Sequence, residues 1–282
     1  MEISDGQRAT VFCLTILLSA LLLLVGGGCQ GAMVAGSTDQ FPDRTGFLQR
    51  ELVVDGQSHV VWVFVPKNYR SNYRYPAVLF LHGLFEAGDG SNRDKVLSAG
   101  LGPVIGGDPD NWPFITIFPQ STGTWQGVDR ERLALASLDY AQSQWSIDPD
   151  RVTLAGLSYG ALGVWEIGAR HPDRFAALVP VSGHKATEWV DRLIYVPVWA
   201  FSAKDDGFVP SSGAEEMCRE INQKGGWARL TEFYGGDHDC WELAVHESNL
   251  INWMLLQHRR PPYAVNPQPQ GRSPVMASMG GG

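Results

Sequence analysis

Basic residues are scarce and scattered in this chain: 22 Lys and Arg stand against 30 Asp and Glu, a formal net charge of −8 over 282 residues. No run of them makes the basic stripe that a nucleic acid needs, so no nucleic-acid partner is expected. Cysteine is sparse too. Of the four, Cys13 and Cys29 fall within or just after an N-terminal apolar run, leaving Cys218 and Cys240 for the folded part. That excludes a disulfide-dense scaffold, and it leaves open either one Cys218–Cys240 disulfide or two separate buried thiols. Long apolar runs are also lacking. "VFCLTILLSALLLLV" at residues 11–25 has 15 residues, short for a membrane span and right for the core of a signal peptide.

The run gives way to "GGGCQGAMVAG". Small residues before Cys29 resemble a bacterial lipoprotein box, although Gly26 stands where leucine is usual. Cleavage near Ala32 or Ala35 and an uncleaved anchor are the competing readings. The expected organisation is a leader over residues 1–35, a tether over 36–46, one domain over 47–258 and a tail over 259–282. The tail is rich in proline and glycine and too polar to build a core. Export to the periplasm, cell surface or medium is expected, with membrane attachment only through the N-terminus.

Within the domain, apolar runs recur as "HVVWVFVP" (59–66), "YPAVLFLHG" (75–83), "PFITIFP" (113–119), "RVTLAGLS" (151–158), "FAALVPVSG" (175–183), "VPVWAFSA" (196–203) and "ARLTEFYGG" (228–236). Helical patterns separate most of them, over 129–145, 159–171, 211–225 and 240–258. Strands alternating with helices predict an α/β fold, a mostly parallel sheet with helices on both faces. In such sheets functional residues gather at the carboxyl ends of the strands. His82, Ser158, Asp206 and His238 all fall there.

"GLSYG" at 156–160 places Ser158 between two glycines, on a strand-to-helix turn. That is a nucleophile elbow, which lifts the serine hydroxyl above the sheet with a helix N-terminus behind it. A serine nucleophile needs a base, and the base an orienting carboxylate, in the chain order serine, acid, histidine. His238 follows a strand in a glycine-rich loop, whereas His246 and His258 lie in a helical pattern and His184 precedes the acid. "SAKDDGFVP" offers Asp206, with Asp205 as the alternative. The backbone N–H groups of Tyr159 and Leu84 are the candidate oxyanion donors, and His82 is expected to hold the Leu84 loop by hydrogen bonding. Asp237, His238, Asp239 and Cys240 are metal-ligand types, but adjacent residues rarely converge on one ion, and no metal or other cofactor is expected.

These stretches resemble the α/β-hydrolases of the secreted esterase group, which takes in phospholipase/carboxylesterases, peptidases, feruloyl esterases and polyhydroxybutyrate depolymerase-like proteins. The resemblance rests on "LHGLFEAGDG", "FPQSTGTW", "SIDPDRVTLAGLSYGALGVWEIGARHPDRFAALVPVSG", "VPVWAFSAKDDGFVP" and "GGDHDCW". It implies Ser158 as nucleophile, Asp206 as acid and His238 as base. The chain departs from the family at Tyr159, usually methionine, and at Ala161, usually glycine. The implied activity is carboxylic-ester hydrolysis, with feruloyl or acetyl esters of polysaccharide as candidate substrates. A peptidase, a polyhydroxyalkanoate depolymerase and a non-catalytic binding module are the alternatives. Only 12 residues separate the strands at 175–183 and 196–203, too few for a large lid. Trp125, Trp189, Phe208 and Trp241 are the candidate flanks of the resulting open cleft.

If Cys29 carries lipid, Cys29→Ala releases the protein from the membrane fraction. Two or three acyl chains at about 0.8 kcal/mol per buried methylene hold where one does not. A wild type that is already soluble, with its N-terminus near Met33 or Gly36, sinks the anchor and leaves plain secretion.

Overall fold

The computed structural model describes residues 35–36, 45–185 and 187–259. Cys29, nearly all of the leader, most of the tether and the tail after Arg259 lie outside the described residues. The strands are β1 (Ala35–Gly36), β2 (Gly46–Val54), β3 (Gln57–Val65), β4 (Tyr75–Leu81), β5 (Ile115–Pro119), β6 (Ile147–Leu157), β7 (Ala177–Val181), β8 (Val198–Ala203) and β9 (Ala228–Phe233). They form one sheet in the order β1-β2-β3-β5-β4-β6-β7-β8-β9. From β5 to β9 every pairing is parallel, and β1, β2 and β3 extend the sheet antiparallel.

The central strands are apolar on both sides because both sides are covered. On β4, Ala77, Leu79 and Leu81 enter one core while Val78 and Phe80 enter the other. Helices α2 (Val128–Gln144), α3 (Tyr159–Arg170), α4 (Val190–Leu193) and α5 (Ser212–Gln223) close the first core. Helices α1 (Leu101–Gly107), α6 (Trp241–Glu247) and α7 (Leu250–Leu255) close the second. Between β7 and β8 the described chain makes only a 3-10 turn at Thr187–Trp189 and the single turn of α4, so no lid is inserted there.

Two elements depart from the sequence reading. Strand β2 was not expected, because only Leu52 and Val54 of its nine residues are buried and the alternation is weak. Its signal lies in the turn after it. Asp55 and Gly56 both have positive φ (51° and 77°), as a two-residue hairpin loop with the twist of its strands requires. The helix expected over 240–258 is two helices. Asn249 takes a left-handed conformation (φ 63°), which asparagine tolerates, and divides α6 from α7. The last described residue is firmly held: the Arg259 N–H donates to the Asp150 carbonyl (2.7 Å), and its guanidinium meets the Asp150 carboxylate (2.6 Å) and the Asp173 carbonyl (2.7 Å).

Of the two readings left open for Cys218 and Cys240, a disulfide or two separate buried thiols, the structure has the second. Both cysteines are free. Cys218 sits on α5 in the first core and Cys240 caps α6 in the second, so the sheet lies between them. A disulfide needs α-carbons about 4.4–6.8 Å apart, which opposite faces of a sheet do not offer. Burial pushes the Cys218 thiol up to about 12 and the Cys240 thiol up to about 11, which leaves both inert at neutral pH. Alkylation after denaturation without reductant is therefore expected to modify both residues, and alkylation of the native protein neither. Peptide mass spectra that show them joined would refute this arrangement.

Candidate active site

Ser158 follows β6 and opens α3. Its φ of 55° and ψ of −115° are uncommon for a residue with a side chain and carry a cost on the order of 1–3 kcal/mol. Packing imposes the turn. A β-carbon at Gly160 would stand 1.9 Å from the Leu81 carbonyl oxygen, and one at Gly156 would stand 2.6 Å from the Gly160 carbonyl carbon. Only glycine lets the first turn of α3 press against the end of β4. The Ser158 N–H donates to the Val181 carbonyl of β7 (2.9 Å), and its carbonyl accepts from the Leu162 N–H (3.1 Å). No side chain caps α3, so the Tyr159 N–H at its first position has no intrahelical acceptor.

Asp206 lies in the loop after β8 and His238 in the loop after β9. The His238 Nδ1 and Asp206 Oδ2 atoms are 2.8 Å apart. Asp206 Oδ1 accepts from the N–H groups of Phe208 (2.8 Å) and Val209 (3.0 Å). The Asp206 side chain is 0% exposed and that of His238 17%. Burial alone would raise the Asp206 pKa. The Val209 N–H, the His238 hydrogen bond and the Phe208 N–H outweigh it and hold the carboxyl below its ordinary range. Asp205, the alternative acid, is exposed, and the histidine bond goes to Asp206.

His82 holds its loop as expected. It is buried, its Nδ1 lies 2.7 Å from the Gly83 carbonyl, and its Nε2 accepts from the Ser121 N–H at 3.0 Å. The two contacts fit one neutral tautomer, with the proton on Nδ1. Its own carbonyl accepts from Trp125 Nε1 (3.0 Å). The loops after β4 and β5 are thereby stitched together. Asp239, beside His238, accepts from the Gly100 N–H (2.8 Å) and the Trp241 N–H (3.3 Å), away from any shared metal-ligand geometry. Among the described residues no group of three metal-ligating side chains forms.

The expected aromatic flanks divide. Trp125 and Trp241 are 0% exposed, so neither lines a cleft. Trp125 stands edge-on to the His82 ring and Trp241 packs against Phe80. Their apolar bulk was needed behind the loops rather than above them. Trp189 is half-buried against the first core, with the Arg170 guanidinium 5.3 Å from its ring. Phe208 is 70% exposed, its ring 5.1 Å from that of His238. The sequence reading missed Phe85 and Tyr234 as exposed aromatics on the loop after β4 and at the end of β9. Their signal was position alone, since each sits within a few residues of a loop already singled out.

No family model matches the chain. Dipeptidyl-peptidase 5 of Porphyromonas gingivalis is 25% identical over 142 residues, 46% of this chain and 20% of that protein. The chain thus spans about a fifth of the length of the curated relatives it matches. Among solved structures, a thermostable esterase superposes with a TM-score of 0.66 at 26% identity, covering 76% of this chain and 63% of the other. An S-formylglutathione hydrolase from Staphylococcus aureus gives 0.60 at 15% identity over 75% and 99%. The chain has the α/β-hydrolase fold. Est1E from Butyrivibrio proteoclasticus shares this fold at 18% identity, with a TM-score of 0.56 over 75% and 98%. At 15% and 18% identity the likeness speaks to the α/β-hydrolase fold alone.

Burial lowers the His82 pKa from 6.5 to about 4. The unfolded chain therefore binds a proton that the folded one refuses between these values. Stability falls as pH drops from about 6.5 towards 4, by roughly 3 kcal/mol from this group, and the contribution is flat outside that window. Urea unfolding at several pH values is expected to show a shallower acid loss in His82→Gln than in the wild type. Parallel slopes would remove His82 as the cause.

Proposed function

We propose that the protein is a serine hydrolase of carboxylic esters, working through an acyl-enzyme. The observation that carries this reading is the His238–Asp206 hydrogen bond at the same sheet edge as the strained Ser158 turn. In the proposed reaction the Ser158 hydroxyl attacks the ester carbonyl carbon, and His238 Nε2 takes its proton. Asp206 holds the other ring nitrogen and stabilises the imidazolium. The N–H groups of Tyr159 and Leu84 stabilise the tetrahedral oxyanion. As the intermediate collapses, His238 gives its proton to the departing alcohol. It then takes one from water, which attacks the acyl-enzyme and releases the acid.

The names of the structural neighbours, which include ferulic acid esterases, support an ester over other acyl substrates. Exposed aromatic side chains stand next to the candidate groups, Phe85 on the loop after β4, Tyr159 directly after Ser158 and Phe208 on the Asp206 loop. An open, aromatic-rimmed site suits a bulky acyl group on a polymer, feruloyl or acetyl esters of polysaccharide being the proposed class. We propose that the domain acts after export, lipid-anchored or free. The dipeptidyl-peptidase relatives favour a second reading, the same groups acting on an aminoacyl amide. The ratio of kcat/KM for p-nitrophenyl and hydroxycinnamate esters to that for aminoacyl p-nitroanilides decides between them.

Ser158→Ala is expected to lower turnover by a factor on the order of 10³ or more with the fold intact by circular dichroism. Asp206→Asn is expected to cost about 10⁴ through the wrong imidazole tautomer, and Asp205→Asn far less. Unchanged hydrolysis in Ser158→Ala, or no fluorophosphonate label on the wild type, would leave the site without a nucleophile and favour a binding module.

A further inference from the structure

Glu86 is 7% exposed, and among the described residues it has no ion-pair partner. Glu166, a second buried glutamate, pairs with Arg170 and Lys185. Glu86 also lies close to the reacting groups. A β-carbon placed on Gly83 would stand 2.8 Å from Glu86 Oε2 and 3.6 Å from the Ser158 β-carbon, so carboxyl and candidate nucleophile border the same space. A buried, unpaired carboxyl at such a place has a cost that its surroundings must offset.

The backbone donors and acceptors of the loop show what it does. The outer part is fixed from the side. Gln120 Nε2 donates to the Glu86 carbonyl (3.3 Å), Lys95 Nζ to the Ala87 carbonyl (3.3 Å), and the Gly88 N–H to the Ser121 carbonyl (2.9 Å). At the inner end the Gly83 carbonyl takes the His82 ring, and the Leu84 carbonyl takes the Ala87 N–H (3.2 Å). Burial, with the charge of Asp239, raises the Glu86 pKa, while the N–H groups of Glu86 and Gly83 and the charge of Lys95 pull it the other way. The N–H groups of Leu84 and Phe85 have no acceptor among the described residues. Both belong to exposed residues that directly follow Gly83, whose β-carbon position stands 3.6 Å from the Ser158 β-carbon.

We propose that Glu86 is a positioning residue. Its carboxyl folds back over Gly83, occupies the N–H groups on either side of Leu84 and Phe85, and turns the Leu84 N–H into the site as an oxyanion donor. The inference rests on the serine-esterase reading above. Glu86 touches neither substrate nor Ser158 Oγ in this role. It acts through the backbone it holds.

The test compares wild type, Glu86→Gln and Glu86→Ala on one p-nitrophenyl ester, with an arylboronic acid as a mimic of the tetrahedral state. Glu86→Gln keeps the shape, so loss of folding does not confuse the result. A displaced donor weakens the transition state and leaves the ground state alone. The expected result is a kcat lower by roughly 10- to 100-fold, KM within about twofold, and a boronate inhibition constant that rises in step with the loss of kcat. Glu86→Ala is expected to lose at least as much. A lower melting temperature with kcat and boronate affinity unchanged would overturn the proposal and reduce Glu86 to a loop support. A wild type that hydrolyses no ester and takes no fluorophosphonate would instead overturn the reading on which it rests.

Discussion

The Leu81 carbonyl oxygen leaves no room for a side chain at Gly160, and much of the site depends on that approach. It brings the end of β4 against the first turn of α3, the two elements whose loops carry Leu84 and Tyr159. It also forces Ser158 into its turn, since the chain must leave β6 and enter α3 within one residue. Among the described residues five non-glycines have positive φ. Asp55 serves a hairpin and Asn249 a helix boundary. The others, Ser158, Ser182 and Asp237, all lie on loops at the carboxyl edge of the sheet, where strain is held by packing on both sides.

The loops at that edge are positioned mostly by backbone groups. His82 binds two loops through its ring and a third contact through its carbonyl. Asp206 is oriented by two N–H groups of its own loop before it meets His238. Asp239 reaches across to Gly100. Such bonds fix a loop without needing a large side chain in the cleft, which explains why the tryptophans stand behind the site. The same loops carry several carboxyls, Glu86, Asp206 and Asp239, with Lys95 beside the first of them, its Nζ donating to the Ala87 carbonyl (3.3 Å).

The parallel strands and most helices were legible because a doubly covered strand must be apolar throughout and the helices between them keep their own period. The Ser158 turn and the Asp206–His238 contact were legible because each of these residues follows a strand end in a short loop. Strand β2 was not, since an edge position asks little of its side chains. The sequence left the two thiols open because a count of cysteines does not show the sheet between them. Trp125 and Trp241 were misread because sequence gives proximity to a loop but not the side of it. Glu86 drew no notice at all: its role comes from backbone groups left free by its neighbours, which composition cannot show.

The clamp of Arg259 on Asp150 and Asp173 has a consequence for how the domain is carried. Asp150 lies early in β6 and Ser158 just beyond its end, so at about 3.3 Å per residue the two are roughly 26 Å apart along the strand. Arg259 therefore stands at the end of β6 opposite Ser158. Whatever is joined after this point, whether natural tail, affinity tag, surface linker or fused module, starts at the far end of the sheet from the Ser158 turn. Immobilised through that end, the molecule presents the loops that carry Ser158, Asp206 and His238 outward.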